Sequence, residues 1–331
     1  MRIALDAMGS DRAPVVEVEG AAGALERDDS LTVVLVGDRE VVERELDRHP
    51  EAPRGRMEVV HAPERIGTDE PPAQAVRRKR DSSIVRGLSL VKNGEADAFI
   101  SAGSTGAVMA GAFTILRPLP GVDRPAIGTA VPTAHGRTLI LDSGANVDTR
   151  GQHLVQFAHL GAIYAQDLMG VEQPRIGLLN IGEEPEKGDE RSLEAHRLLA
   201  AAENLHFVGN VEGRDLVRGA CDVLVCDGFV GNVLLKFYES VAAFLLGMFR
   251  EQVGKSNADV DLRPIVEVLD YTETGGAPLL GVDGVTIVCH GGSPPQAVKG
   301  AIAVAARAVE HRMIEHIEGR LARFAAAPVG S

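Results

Sequence analysis

The stretch Ala98-Phe99-Ile100-Ser101-Ala102-Gly103-Ser104-Thr105-Gly106-Ala107-Val108 sets the reading of the whole chain. A short run, Ala98 to Ser101, ends in a cluster of small polar residues, and a helical pattern over Ala107 to Leu116 follows at once. Strand, turn and helix in so few residues form the unit from which parallel sheets are built. The rhythm repeats in both directions. Strands are expected at Ile3 to Asp6, Leu31 to Val36, Met57 to Val60, Thr138 to Leu141, Ile176 to Asn180, Phe207 to Gly209, Val223 to Cys226 and Val285 to Cys289. Helices are expected at Pro14 to Arg27, Arg39 to Arg48, Pro72 to Lys92, Gln152 to Met169, Ser192 to Ala202, Val233 to Val253 and Pro295 to His316. The alternation predicts an α/β fold with a mostly parallel sheet covered on both faces. No repeat, low-complexity tract or Ser/Pro-rich linker interrupts it. A single α/β body over 1–331 is therefore expected, with two lobes around a central cleft and a frayed tail over 324–331.

Composition narrows the function. The 331 residues allow a sizeable core, and 45% hydrophobic with 24% charged residues describes a folded globular chain. A net charge of −13 argues against nucleic acid as the main partner, because phosphate-backbone binding needs a basic surface. The cysteines Cys221, Cys226 and Cys289 are too few for a disulfide frame or a four-ligand zinc site, which fits a reducing cytosol, and Cys221 and Cys226, which bracket an apolar strand, read as buried structural thiols. No uninterrupted apolar run approaches the roughly 18 to 20 residues that span a bilayer. The first residues reach Asp6 before any secretory segment develops, so a cytoplasmic location is expected.

Chemistry concentrates after the strands. Besides Ser101 to Gly106 there are Asp142-Ser143-Gly144-Ala145-Asn146, Asn180-Ile181-Gly182-Glu183-Glu184, Cys226-Asp227-Gly228-Phe229-Val230-Gly231-Asn232 and His290-Gly291-Gly292-Ser293. Open parallel sheets bind ligands beyond the carboxyl ends of their strands, so these clusters are expected to converge on one cleft. Taken singly, glycines after strands are also plain turn residues. Ser104-Thr105-Gly106 precedes a helix, where free N–H groups and the dipole suit an anion such as phosphate, though an ordinary Ser cap reads the same way. Gly231-Asn232 and Gly292-Ser293 are expected to open helices too. Lys187 stands alone among Glu183, Glu184, Glu186, Asp189 and Glu190. That run is either a solvated loop or the carrier of a point charge that neutralises an anion. His290 is an acid/base candidate or a partner for a loop carbonyl. Phosphate-loop, dinucleotide, nucleophile-elbow and metalloprotease motifs are all missing, and no cofactor or metal is expected.

Two surfaces stand out. Arg77, Arg78, Lys79 and Arg80, with Arg86 nearby, form the one dense basic stretch of an acidic chain. In the apolar stretch after Asn232, Leu234, Phe237, Val241, Leu245 and Met248 recur at spacings of three and four, with Phe244 and Phe249 beside them. It reads as a core and dimer-interface helix, or as a protruding helical hairpin over about 233–270, continued by Leu262 to Leu269, that touches a membrane surface.

In this order, the clusters resemble the bacterial phosphate acyltransferase family of phospholipid synthesis. The likeness is carried by Ala4-Leu5-Asp6-Ala7-Met8-Gly9, Asp69-Glu70 with Arg78-Lys79-Arg80-Asp81-Ser82-Ser83, Ser101 to Gly106, Arg124-Pro125-Ala126, Leu141 to Asn146, Asn180 to Glu190, Gly209-Asn210-Val211-Glu212-Gly213 and Asp227 to Asn232. Ser10, Arg12 and Ser104 stand where the family usually has Gly, His and Asn, and Gly292 interrupts a usual Ser-Ser pair. The resemblance implies a three-layer α/β/α fold like phosphotransacetylases and isopropylmalate-type dehydrogenases. It implies conversion of long-chain acyl-acyl carrier protein and inorganic phosphate into acyl phosphate and free carrier. A homodimer at the inner face of the cell membrane, feeding the membrane-bound glycerol-3-phosphate acyltransferase, is implied as well. On this reading Lys187 and Asn232 are the catalytic pair, and Asp6, Ser104, Thr105, Gly106, Asp142, Asn146 and His290 bind substrate or phosphate. Carrier docking falls to Arg77, Arg78, Lys79 and Arg80, and membrane or dimer contact to Phe237, Phe244, Leu245, Met248 and Phe249. The alternatives are a transferase using acyl-coenzyme A, an isopropylmalate-type dehydrogenase, for which no metal-binding carboxylate set is evident, and a non-catalytic scaffold holding the carrier.

Overall fold

The computed structural model describes residues 1–255 and 275–326. The expected hairpin segment Leu262 to Leu269 and residues 327–331 of the expected tail lie outside the described residues. Internal contacts sort the chain into two compact units, Met1–Pro125 with Gly275–Ser331, and Ala126–Thr274.

In the first unit the strands are β1 (Arg2–Asp6), β2 (Thr32–Gly37), β3 (Met57–His61), β4 (Ala98–Ser101), β10 (Ala277–Leu280) and β11 (Val285–Val288). Their order is β3-β2-β1-β4-β11-β10, and only the pairing of β10 with β11 is antiparallel. Ile3, Ala4 and Leu5 are all buried, the continuous apolar run of a strand covered on both faces. Around the sheet stand α1 (Val15–Leu25), α2 (Arg39–Leu46), α3 (Pro72–Arg78), α4 (Ser83–Lys92), α5 (Thr105–Gly111), α10 (Pro295–Glu310) and α11 (Met313–Ala326). The expected helix over Pro72 to Lys92 is two helices. Lys79 leaves helical geometry, and the Ser82 hydroxyl accepts the Val85 N–H at 3.4 Å to cap α4. The expected helix over Pro295 to His316 likewise divides, at Arg312, whose φ is 51°.

In the second unit, β5 (Ala126–Thr133), β6 (Gly136–Leu141), β7 (Arg175–Asn180), β8 (His206–Glu212) and β9 (Val223–Val225) lie in the order β5-β6-β9-β7-β8. β5 is antiparallel to β6, and the others run parallel. The helices are α6 (Gly151–Met169), α7 (Glu190–Ala200), α8 (Gly213–Leu216) and α9 (Gly228–Lys255). One core cluster joins Val131, Ile140, Leu224, Cys226 and Leu235. Tyr238 of α9 packs against it and donates its hydroxyl to the Pro132 carbonyl at 2.7 Å. α6 buries His159, and desolvation pushes its imidazole down to about 4.

α9 corrects the sequence reading twice. It begins at Gly228, before the expected Val233, so Gly231 and Asn232 lie within its first turns. Gly228–Phe249 is also long and apolar enough to cross a membrane by length and composition, with a mean hydropathy of 1.5. Polar Asn232, Lys236, Glu239 and Ser240 interrupt the apolar run and hid this in the sequence. One side of the helix, Leu235 and Ala242, is buried, whereas Phe237 and Phe244 are 68% and 65% exposed.

Candidate functional site

The first unit has a topological switch point. The chain runs outward from β1 through β2 to β3, then crosses to the other side of β1 for β4, which opens a crevice beyond the carboxyl ends of β1 and β4. Asp6 and Ser101 end those strands. The Ser101 hydroxyl donates to Asp6 Oδ2 at 2.6 Å and accepts the Gly103 N–H at 3.0 Å, while the Met8 N–H donates to Asp6 Oδ1 at 3.0 Å. Burial pushes the Asp6 carboxyl up, against the pull of its hydrogen bonds to Ser101, Ser83 and Met8 and of the Arg65 charge. Asp6, expected to bind substrate, is buried and ties the two strand-end loops together.

Above it lies a cavity of about 330 Å³, lined by Gly9, Arg65, Gly103, Ser104, Thr105 and His290 among others. The Ser104 hydroxyl accepts the Ala107 N–H at 3.4 Å, the ordinary cap of α5, while Thr105 and His290 are exposed. Gly106 packs its backbone against Pro72. The Gly292-Ser293 cluster precedes α10, which starts at Pro295 after Pro294. Arg65 escaped the sequence reading. Its guanidinium donates to the Gly9 and Ser10 carbonyls at 3.3 and 3.2 Å, and its place just after β3 obeys the strand-end rule that found the other clusters.

The second unit repeats the device at the end of β6. Asp142 is fully buried. Its Oδ1 accepts the N–H groups of Ile127, Gly144 and Ala145 at 3.0, 3.1 and 3.0 Å. Its Oδ2 accepts the Asn146 N–H at 2.6 Å and the Asn146 side-chain amide at 2.9 Å. Burial raises the carboxyl while these donors pull it down. Both oxygens of Asp142, expected to bind substrate with Asn146, are engaged within the loop, and Asn146 is the partner of Oδ2. Against this loop rests the start of α9: the Gly228 N–H donates to the Asn146 carbonyl at 2.7 Å. A Cβ at Gly231 would stand 1.9 Å from the Asp142 carbonyl oxygen, so no larger residue fits without displacing backbone. Asn232 is exposed, with its side chain toward Gly144.

Lys187 lies on a loop fixed through its backbone. The Asn180 side chain donates to the Lys187 carbonyl at 3.0 Å and accepts the Ile181 N–H at 2.8 Å, and Asn210 donates to the Glu184 carbonyl at 2.7 Å. Gly188 follows at a φ of 102°, a region that favours glycine. The Lys187 side chain is exposed, so the charge is free to reach a ligand while its backbone stays in place. Arg191, also missed in the sequence, ties the loop to α9. It pairs with Asp189 at 3.1 Å and with buried Asp227 at 3.0 Å, and Asp227 Oδ1 accepts the Phe229 and Val230 N–H groups at 2.9 and 3.1 Å. A cavity of about 590 Å³ lies here, with Gly188 and Asp189 after Lys187 and with Val230 and Val233 around Asn232 all in its lining. The structure thereby brings the flanks of both expected catalytic residues to one cavity.

Elsewhere, Arg77, Arg78 and Arg80 are exposed, and Arg77 and Arg80 line a groove of about 680 Å³ with Val76, Val85 and Ile115. Lys79 turns inward, donating to the Arg65 carbonyl and pairing with Glu70, both at 2.7 Å. Burial lifts the Cys221 and Cys289 thiols to about 12 and raises that of Cys226 as well. Among the described residues no group of three or more His, Cys, Asp or Glu side chains is placed to hold a metal ion.

Residues 1–316 match the family described as "Fatty acid synthesis protein". A phosphate acyltransferase of Desulforamulus reducens is 47% identical over 328 residues, 97% of each chain. That of Pelotomaculum thermopropionicum is 49% identical over 329 residues, 97% of this chain and 95% of its own. Among solved structures, a phosphotransacetylase from Streptococcus pyogenes superposes with a TM-score of 0.64 at 19% identity, covering 95% of this chain and 94% of that one. This last likeness shows a shared three-layer α/β/α fold.

Proposed function

The chain belongs to the phosphate acyltransferase family, enzymes of fatty acid synthesis, and from that membership we propose that it takes the acyl group of a long-chain acyl thioester on acyl carrier protein and passes it to inorganic phosphate. A phosphate oxygen attacks the thioester carbonyl carbon, a C–O bond forms and the carbonyl oxygen gains charge. On collapse the C–S bond breaks, and the electron pair leaves on the carrier's thiolate, which takes a proton from solvent. Such a reaction asks for an anion cradle, charge compensation and a donor to the oxyanion.

The Lys187 ammonium supplies the compensating charge and the Asn232 amide the donor. Ser104, Thr105, Gly106 and His290 of the first unit are assigned to anion binding, whereas Asp6, Asp142 and Asn146 act by shaping loops. The observation that carries this reading is the chain of contacts from Asn180 through Asp189, Arg191 and Asp227, which sets the Lys187 loop and the start of α9 on one cavity.

Exposed Arg77, Arg78 and Arg80 are assigned to docking the acidic carrier, with association that weakens as salt rises. Lys79 is left out, because Glu70 holds it. Beyond the residues that line that cavity, the exposed apolar part of α9, including Phe244, Met248 and Phe249, is assigned to a second copy and to the inner face of the cell membrane, where acyl phosphate passes to the membrane-bound glycerol-3-phosphate acyltransferase. The test is phosphate-dependent release of carrier thiol, with acyl-coenzyme A supplied in parallel. Lys187→Ala and Asn232→Ala are each expected to lower turnover by about 100-fold or more, the loss seen when an oxyanion donor is removed. Near wild-type turnover in both variants would reject the assignment.

A further inference from the structure

The cavity beside the Lys187 loop has a mainly apolar lining with a few polar groups. Leu178, Leu179, Val230, Val233, Leu234 and Phe237 contribute apolar walls, and Asn180, Asp189, Arg191, Ser192 and Asp227 the polar ones. We infer that it seats the alkyl chain of the substrate, an assignment that rests on the acyl transfer proposed above.

Its volume of about 590 Å³ falls within the roughly 300–1,000 Å³ of small-molecule sites, and a mainly apolar lining with a few polar groups fits a ligand with a polar head and an apolar tail. Val233 and Phe237 are 55% and 68% exposed, an arrangement that an apolar guest relieves and water does not. Gly188 and Asp189 directly follow Lys187, so a chain lying here presents its carbonyl end to the loop that bears the compensating charge. From Val230 to Phe237 the wall extends about 10 Å along α9 at 1.5 Å per residue. Beyond it, Val241 and Leu245 continue the same stripe of the helix, and they receive the far end of a longer chain.

The experiment titrates butyl, octyl and dodecyl phosphate, below their micellar concentrations, into the full chain and follows binding by calorimetry. Affinity is expected to climb by up to about fourfold per methylene until the cavity is full. In Val233→Trp, which fills the cavity, and in Leu234→Asp, which makes its wall polar, that slope is expected to collapse while circular dichroism shows the chain folded. A wild-type affinity indifferent to chain length overturns the inference. So does a slope that survives both cavity variants. A flat slope together with a wild-type dimer split by Val233→Trp would give the cavity to a second copy and also overturn it. The two claims separate cleanly: a normal slope without phosphate-dependent carrier release strikes the proposed reaction, and release with a flat slope strikes the cavity.

Discussion

Replacing Asp142 by asparagine changes one atom, and the structure says what that atom does. Oδ1 serves three N–H donors at 3.0 to 3.1 Å, and Oδ2 serves two, the Asn146 N–H at 2.6 Å and its side-chain amide at 2.9 Å. Asp142→Asn must place an NH₂ group at one of those positions. The milder choice sets it at Oδ2, where an NH₂ group faces the two Asn146 donors and accepts from neither. Losing two buried hydrogen bonds to a charged acceptor costs about 1.5–3 kcal/mol each, so the pair costs about 4 kcal/mol. A typical domain holds about 5–15 kcal/mol, so the variant still folds at 25 °C. With a urea slope of about 2 kcal/mol per molar, the unfolding midpoint followed by far-ultraviolet circular dichroism falls by about 2 M. A drop below about 0.5 M would refute the reasoning, because it would mean that the loop does not depend on the carboxylate.

Gly231→Ala tests the positioning of Asn232: its Cβ would stand 1.9 Å from the Asp142 carbonyl oxygen, so backbone must move by about 1 Å, and a shift of that size costs about 100-fold in turnover. Carrier-thiol release within threefold of wild type would contradict it. His159 predicts acid lability. Its folded value of about 4 lies below the ordinary imidazole value of 6.5, so between these limits the unfolded chain binds the proton and the folded one does not. The stability contribution is present above about pH 6.5 and fades as pH falls to about 4, a loss of about 3 kcal/mol in all. Urea unfolding at pH 7, 6, 5 and 4.5 is expected to show that decline, and His159→Leu to flatten it; an equal decline in the variant would assign the lability elsewhere.

Much of the architecture is written in local pattern. Strands buried on both faces are continuous apolar runs, which is why Ile3 to Asp6 and Ala98 to Ser101 are legible. β5 is not, since Gly128 and Pro132 break its pattern and it pairs antiparallel with β6. Strand-end carboxylates are visible as positions, but whether Asp6 and Asp142 face ligand or loop depends on where neighbouring N–H groups point, and that is tertiary. Arg65 and Arg191 were missed for the same reason. Arg65 acts on a carbonyl 56 residues away, and Arg191 on Asp227 at the far end of another strand. Lys187 stands out in the sequence as a lone cation among carboxylates; that Asn180 holds its carbonyl could not be read there.

Phosphate as the attacking group is tested most directly with phosphate carrying four ¹⁸O atoms, supplied with acyl-acyl carrier protein and the purified chain. Mass spectrometry is expected to find acyl phosphate that keeps all four labelled oxygens, formed in step with free carrier thiol. Free fatty acid bearing an oxygen from water, with the labelled phosphate left unchanged, would contradict the account.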